Sequence, residues 1–113
     1  MEKITIQKAK NLIEIHINGN LNIHSIDLLE NKFRDVLSES GLTNTIIVNC
    51  EKLDSIDSSG LGMLISLSKQ TEKKEIDFYL YGLSRKISAL FDISNLDKYF
   101  KIISEEEYRS LKE

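Results

Sequence analysis

The sequence has no proline, a single cysteine and only two histidines, and each scarcity removes a class of explanation. Without proline, low-complexity segments or internal repeats, nothing marks a boundary, and the 113 residues are expected to form one domain spanning 1–113. The lone Cys50 rules out an internal disulfide, and without CxxC spacing there is no zinc motif, so Cys50 reads as a small buried hydrophobe. No apolar run reaches membrane-spanning length and no N-terminal signal pattern is visible, so the expected location is the cytoplasm, with no membrane insertion. The net charge of -3 comes from interspersed signs and offers no footprint for direct nucleic acid binding or for an anionic membrane. What remains, 41% apolar and 29% charged residues, is ordinary for a folded domain with one core.

Two periodicities organise the chain. Ile4 and Ile6, then Ile13, Ile15 and Ile17, alternate with polar residues as strands do, and the short KAKN between them predicts a hairpin. From Ile23 to Ser40 the period lengthens. Ile26, Leu29, Phe33, Val36 and Leu37 share one helical face that ends before Gly41, and Asn22 or Ser25 is placed to cap its start. TIIVNC reads as a strand buried on both sides and leading straight into DSIDSSGLGML at 54–64.

A helix follows Ser58 or Ser59, EIDFYLY is a further strand, a third helix begins near Ser84, and YFKII is the last strand. Ser104 and Glu107 have capping-box spacing before a short terminal helix carrying Tyr108 and Leu111. The order β β α β α β α β α predicts an α/β domain. Its mixed, mainly parallel sheet has helices packed against it and the hairpin adding an antiparallel strand at one side. Leu90, Phe91, Ile93 and Leu96 are expected to pack the third helix on the sheet. Tyr79 and Tyr81 share one strand parity, which is compatible with the border of a pocket, but partly buried tyrosines on an edge or mixed face are commonplace and no ligand follows.

In such sheets sites gather at the carboxyl ends of strands, where DSIDSSGLG falls. The stretch is neither a phosphate-binding P-loop nor a GxSxG nucleophile elbow. A catalytic triad would need His16 or His24. His16 has the parity of a polar strand face, and a loop histidine such as His24 is more often solvated. Asp54 and Asp57 have no spacing that fixes a metal site, and turn carboxylates more often satisfy backbone amides. A structural account makes Asp57 or Ser58 the helix cap and lets the glycines bring helix and strand close. It leaves unexplained the density of small residues before Leu61, which reads as a corner open to a visitor. Gly60 and Gly62 cost about 1 kcal/mol each relative to alanine in a helix interior, so another requirement retains them.

A phosphate on Ser58 would add about -1.5 to -2 charges beside Asp57, at a helix N-terminus whose amides and dipole suit an anion. The fold would tolerate it. A partner docked on the neutral corner, Leu61 included, would meet a strongly hydrated group and lose contact.

These features resemble the bacterial STAS-domain anti-sigma factor antagonists of partner-switching systems. The similarity covers nearly the whole length and rests on VNCEKLDSIDSSGLGMLI at 48–65, GNLNI at 19–23 and LFDISNLDKYFKI at 90–102. It implies a non-enzymatic regulator that needs no cofactor. The unphosphorylated form would bind an anti-sigma factor serine kinase and free the sigma factor; phosphorylation by that kinase would end binding, and a PP2C-type phosphatase would restore it. By the same resemblance the phosphorylated residue is Ser58, with Ser59 the neighbouring alternative, and the docking residues are Asn22, Asp57, Ser59, Gly60 and Leu61. The family's GxLD loop reads GNLN here, with Asn22 in the acidic position. That departure favours an alternative in which the module is a non-switching scaffold in a sensory or transport-associated complex.

Overall fold

The alternating isoleucines near the start of the chain form the hairpin that their period demands. In the computed structural model, which describes residues 3–39, 41 and 43–113, β1 (Ile4–Ala9) pairs antiparallel with β2 (Leu12–Ile17). Lys10 in the turn takes a positive φ of 50°. β2 then runs parallel to β4 (Thr45–Asn49), β4 to β6 (Asp77–Tyr81), and β6 to β7 (Lys101–Ile103), giving the order β1-β2-β4-β6-β7. Parallel neighbours need crossover connections. Here α1 (Ile26–Glu39), α2 (Ser58–Lys73) and α3 (Arg85–Ile93) supply them, and their apolar faces pack on one side of the sheet.

The main core lies on that side. Leu29, Phe33, Leu64, Leu67, Ile87 and Phe91 from the helices meet Ile15, Ile46, Val48 and Leu80 from the strands. Burying each such side chain contributes about 1.5–3 kcal/mol, so this interface dominates stability. The opposite side carries Leu12, Ile47, Tyr81 and Ile103 and is covered by α4 (Glu105–Lys112), whose Tyr108 packs on them. The rings of Tyr81 and Tyr108 stack at 3.9 Å with planes 2° apart. α4 starts with the expected reciprocal capping box: the Glu107 amide donates to Ser104 Oγ and the Ser104 amide to Glu107 Oε1.

Four expectations need correction. Two strands escape the sequence pattern: β3 (Gly19–Leu21) and β5 (Leu53–Ile56) pair in parallel as a separate two-stranded sheet, so TIIVNC does not run directly into the serine motif. Elements this short carry too few alternations to register. α1 begins at Ile26, leaving Ile23 63% exposed, while Ser40 lies outside the described residues. Neither Asn22 nor Ser25 caps α1 with its side chain; both side chains brace the preceding loop. Ile93 is 82% exposed rather than core, because two residues beyond buried Phe91 a helix has turned about 200°. Phe91 is fully buried and Leu96 packs on the core as expected, with Leu90 half-buried.

Candidate functional site

The serine corner is built at the end of β5. Beyond Ile56 the chain enters Asp57 in an extended conformation, φ -105° and ψ -175°, as an N-cap residue requires. Its carboxylate accepts the Gly60 amide at 2.9 Å and its carbonyl accepts the Leu61 amide at 2.9 Å. Asp57 is therefore the cap, and Ser58 opens α2. The Asp57 amide donates to the Leu21 carbonyl at 3.2 Å, tying the corner to the end of β3 and so to the Asn22 loop. A second tie joins the Ser55 hydroxyl to Asn20 Oδ1 at 2.6 Å.

That geometry separates the two serines. Ser58 is exposed, whereas Ser59 is half-buried. It also divides the glycines. Gly60 is buried, and a Cβ built there would lie 2.7 Å from Ile56 Cγ1 and collide with the Leu21 carbonyl oxygen. Gly60 is thus not an open part of the corner; it lets α2 approach the strand pair closely. Gly62 is exposed, with nothing within 4 Å of an added Cβ. Leu61 is half-buried and packs against the core.

The Asn22 loop is internally braced. Asn22 Oδ1 accepts the His24 amide at 2.9 Å, the Asn22 amide donates to Ser25 Oγ at 3.0 Å, and the Ser25 hydroxyl donates to the Asn20 carbonyl at 2.8 Å. The His24 ring is exposed, and Asp54 is exposed on β5. His16 sits among the groups of the second sheet face, near Gln7 and Glu14. Among the described residues no three His, Cys, Asp or Glu side chains converge as a metal site, and no helix is long and apolar enough to cross a membrane.

Each unit of negative charge on Ser58 would gain about 0.3–1 kcal/mol from the helix dipole, and two unit like charges about 4 Å apart in water repel by about 1 kcal/mol. The two nearly cancel, so added charge is felt by whatever docks rather than by the fold. The cap itself contributes more. Asp57→Ala is expected to lower unfolding free energy by about 1 kcal/mol, and Asp57→Asn to recover most of that loss, as measured by urea titration.

A second polar group, not foreseen from the sequence, lies on the other sheet face. Glu14 on β2 is 1% exposed. Its carboxylate accepts the Asn49 side-chain amide at 2.8 Å, Lys112 Nζ at 2.6 Å and the Tyr108 hydroxyl. Burial alone would push its pKa up, but the hydrogen bonds from Lys112, Tyr108 and Asn49 outweigh that effect and hold it below the ordinary carboxylate value. A glutamate alternating with isoleucines reads as solvent-facing, and the only sequence hint is the spacing of Tyr108 and Lys112 by one helical turn. Cys50 is fully buried, which pushes its thiol up to about 12 and leaves it an unreactive hydrophobe.

Residues 3–108 match the STAS domain model. An anti-sigma-B factor antagonist of Staphylococcus aureus (strain NCTC 8325 / PS 47) is 29% identical over 83 residues, which cover 74% of this chain and 75% of that protein. Two solved structures share the fold. The Bacillus cell fate determinant SpoIIAA in its phosphorylated form superposes with a TM-score of 0.73 at 23% identity, covering 97% of this chain and 99% of that one. An anti-sigma factor antagonist from Mycobacterium paratuberculosis gives a TM-score of 0.81 at 15% identity, covering 96% of this chain and 91% of that one.

Proposed function

The chain belongs to the STAS domain family, and on that premise we propose that it is an anti-sigma factor antagonist acting by partner switching. In this reading the unphosphorylated protein binds an anti-sigma factor that is also a serine kinase, and the sigma factor is released. The kinase then phosphorylates Ser58, the charged corner no longer fits its partner, and a PP2C-type phosphatase resets the system. The protein works in the cytoplasm as a binding surface, with no catalytic step of its own.

One observation carries the reading: Ser58 is exposed as the first residue of α2, next to a cap that is hydrogen-bonded to the end of β3. The hydroxyl is reachable while its backbone is fixed, so a charge placed there stays at a defined point of the docking face. Asn22, Asp57 and Leu61 surround it in this reading, with Ser59 half-buried beside it and Gly60 seating the helix. The names of the relatives support the same role. The test is to incubate the protein with the anti-sigma kinase of its own bacterium and ATP, then fragment the tryptic peptide spanning residues 53–69. Phosphate on Ser58, with only the unmodified form co-purifying with the kinase, is the expected result. Phosphate elsewhere, or equal retention of both forms, overturns it.

Asn22 sets a further expectation. Asp at this position keeps an oxygen to accept the His24 amide, so Asn22→Asp should move stability by no more than about 0.5 kcal/mol. It adds a carboxylate to the loop joined to the cap, and the phosphorylation rate of Ser58 should change several-fold. Unchanged initial rates in a kinase assay would remove the loop from the reaction.

A further inference from the structure

Glu14 and the C-terminal helix depend on each other. Tyr108 and Lys112 are the inward polar groups of α4, and both reach a carboxylate 94 and 98 residues earlier in the chain. A helix of eight residues does not persist alone in water, so α4 stays helical only while docked. Among the described residues what docks it is limited: the Tyr81–Tyr108 stack, the small apolar cluster of Leu12, Ile47 and Ile103 with Tyr79 packed against it, the Asn49 amide donating to the Tyr108 hydroxyl at 3.3 Å, and the bonds to Glu14. The main core lies on the other side of the sheet and includes no residue of α4. Without Lys112, ionised Glu14 keeps its hydrogen bonds from Asn49 and Tyr108 but has lost its cation beneath a docked helix, which is costly, so the loss of Lys112 is expected to release α4.

We infer that α4 is a latch, closed over the second sheet face only while ionised Glu14 is paired with Lys112, and able to open without unfolding the rest of the domain. Opening uncovers Leu12, Ile47, Tyr81 and Ile103 and leaves the serine corner in place. The groups facing Glu14 are His16 on its own strand, Nε2 3.4 Å from the carboxylate, Asn49 on β4, and Tyr108 and Lys112 on α4. Asn49 also donates to Glu51 at 3.1 Å, and Gln7 on β1 reaches His16 at 3.4 Å. Because the Glu14 carboxyl is held below its ordinary value, the pairing is complete above the unfolded pKa of about 4.3 and is lost as pH falls through the lower folded value. The latch is therefore shut at neutral pH and opens in acid.

Amide hydrogen exchange on the full chain tests this. At pH 7, Lys112→Met should lower the protection of α4 amides at least tenfold while β4 amides keep theirs, and Lys112→Arg should restore most of the loss. Acidifying the wild type should strip protection from α4 before β4. Glu105, Glu106 and Glu107 also lie in the first turn of α4, so Glu14→Gln separates the contribution of Glu14 from theirs: α4 should then be open at every pH, with a flat profile. Should that variant not fold, the Lys112 pair decides. The latch is overturned if Lys112→Met exchanges as the wild type does, or if α4 and β4 lose protection together.

Discussion

Gly60→Ala is expected to destabilise the protein by about 3 kcal/mol, against the usual gain of about 1 kcal/mol when glycine becomes alanine inside a helix. The added methyl would collide with the Leu21 carbonyl oxygen and lie 2.7 Å from Ile56 Cγ1, so α2 would have to lift from the β3–β5 pair. Backbone cannot yield as a flexible side-chain end can. Gly62→Ala is the control in the same helix: nothing lies within 4 Å of its Cβ, and it should stabilise by up to about 1 kcal/mol. Urea unfolding of the two variants gives shifts of opposite sign. Two shifts in the stabilising direction would show that the close approach at Gly60 is not needed.

In the proposed switch, Ser58→Asp should weaken binding to the proposed anti-sigma kinase about 100-fold, equivalent to about 2.7 kcal/mol. A carboxylate enclosed by a partner that evolved for a hydroxyl loses its hydration without gaining a counter-charge. The same substitution places a charge at an exposed helix N-terminus and should alter stability by less than about 1 kcal/mol. Ser58→Ala should bind as the wild type does and resist phosphorylation; Ser59→Ala should remain a substrate. Calorimetric titration against the kinase reads the affinities, and a phosphorylation assay with ATP reads the substrate behaviour of the two alanine variants. Equal affinities for wild type and Ser58→Asp would place the partner's footprint away from this corner.

The element order was legible because periodicity and capping are local. Ile13, Ile15 and Ile17 announce a strand without help from distant residues, and the Ser104–Glu107 box is complete within one turn. A helix starting at the serines was readable for the same reason, but only the structure decides that Asp57 rather than Ser58 is its cap and that Ser58 is an exposed first helical residue. Legibility failed where an element was too short or a residue's surroundings came from elsewhere. β3 and β5 are held by each other rather than by any alternation of their own. Ile93 and Ile23 are apolar beside helical patterns, yet they face solvent because the sheet lies on the other side.

From its residue pattern alone the chain determined a hairpin, a parallel sheet crossed by helices, and a serine poised where a helix begins, since each is written in neighbours a few positions apart. Tertiary structure alone decided that Gly60 is a packing contact rather than an opening, and that Glu14 is a buried anchor rather than a solvated strand residue. Those outcomes depend on Leu21, Asn49, Tyr108 and Lys112, which only folding brings to them. The physical reason is that hydrogen bonding and steric exclusion act over a few ångströms in space, whatever the separation along the chain.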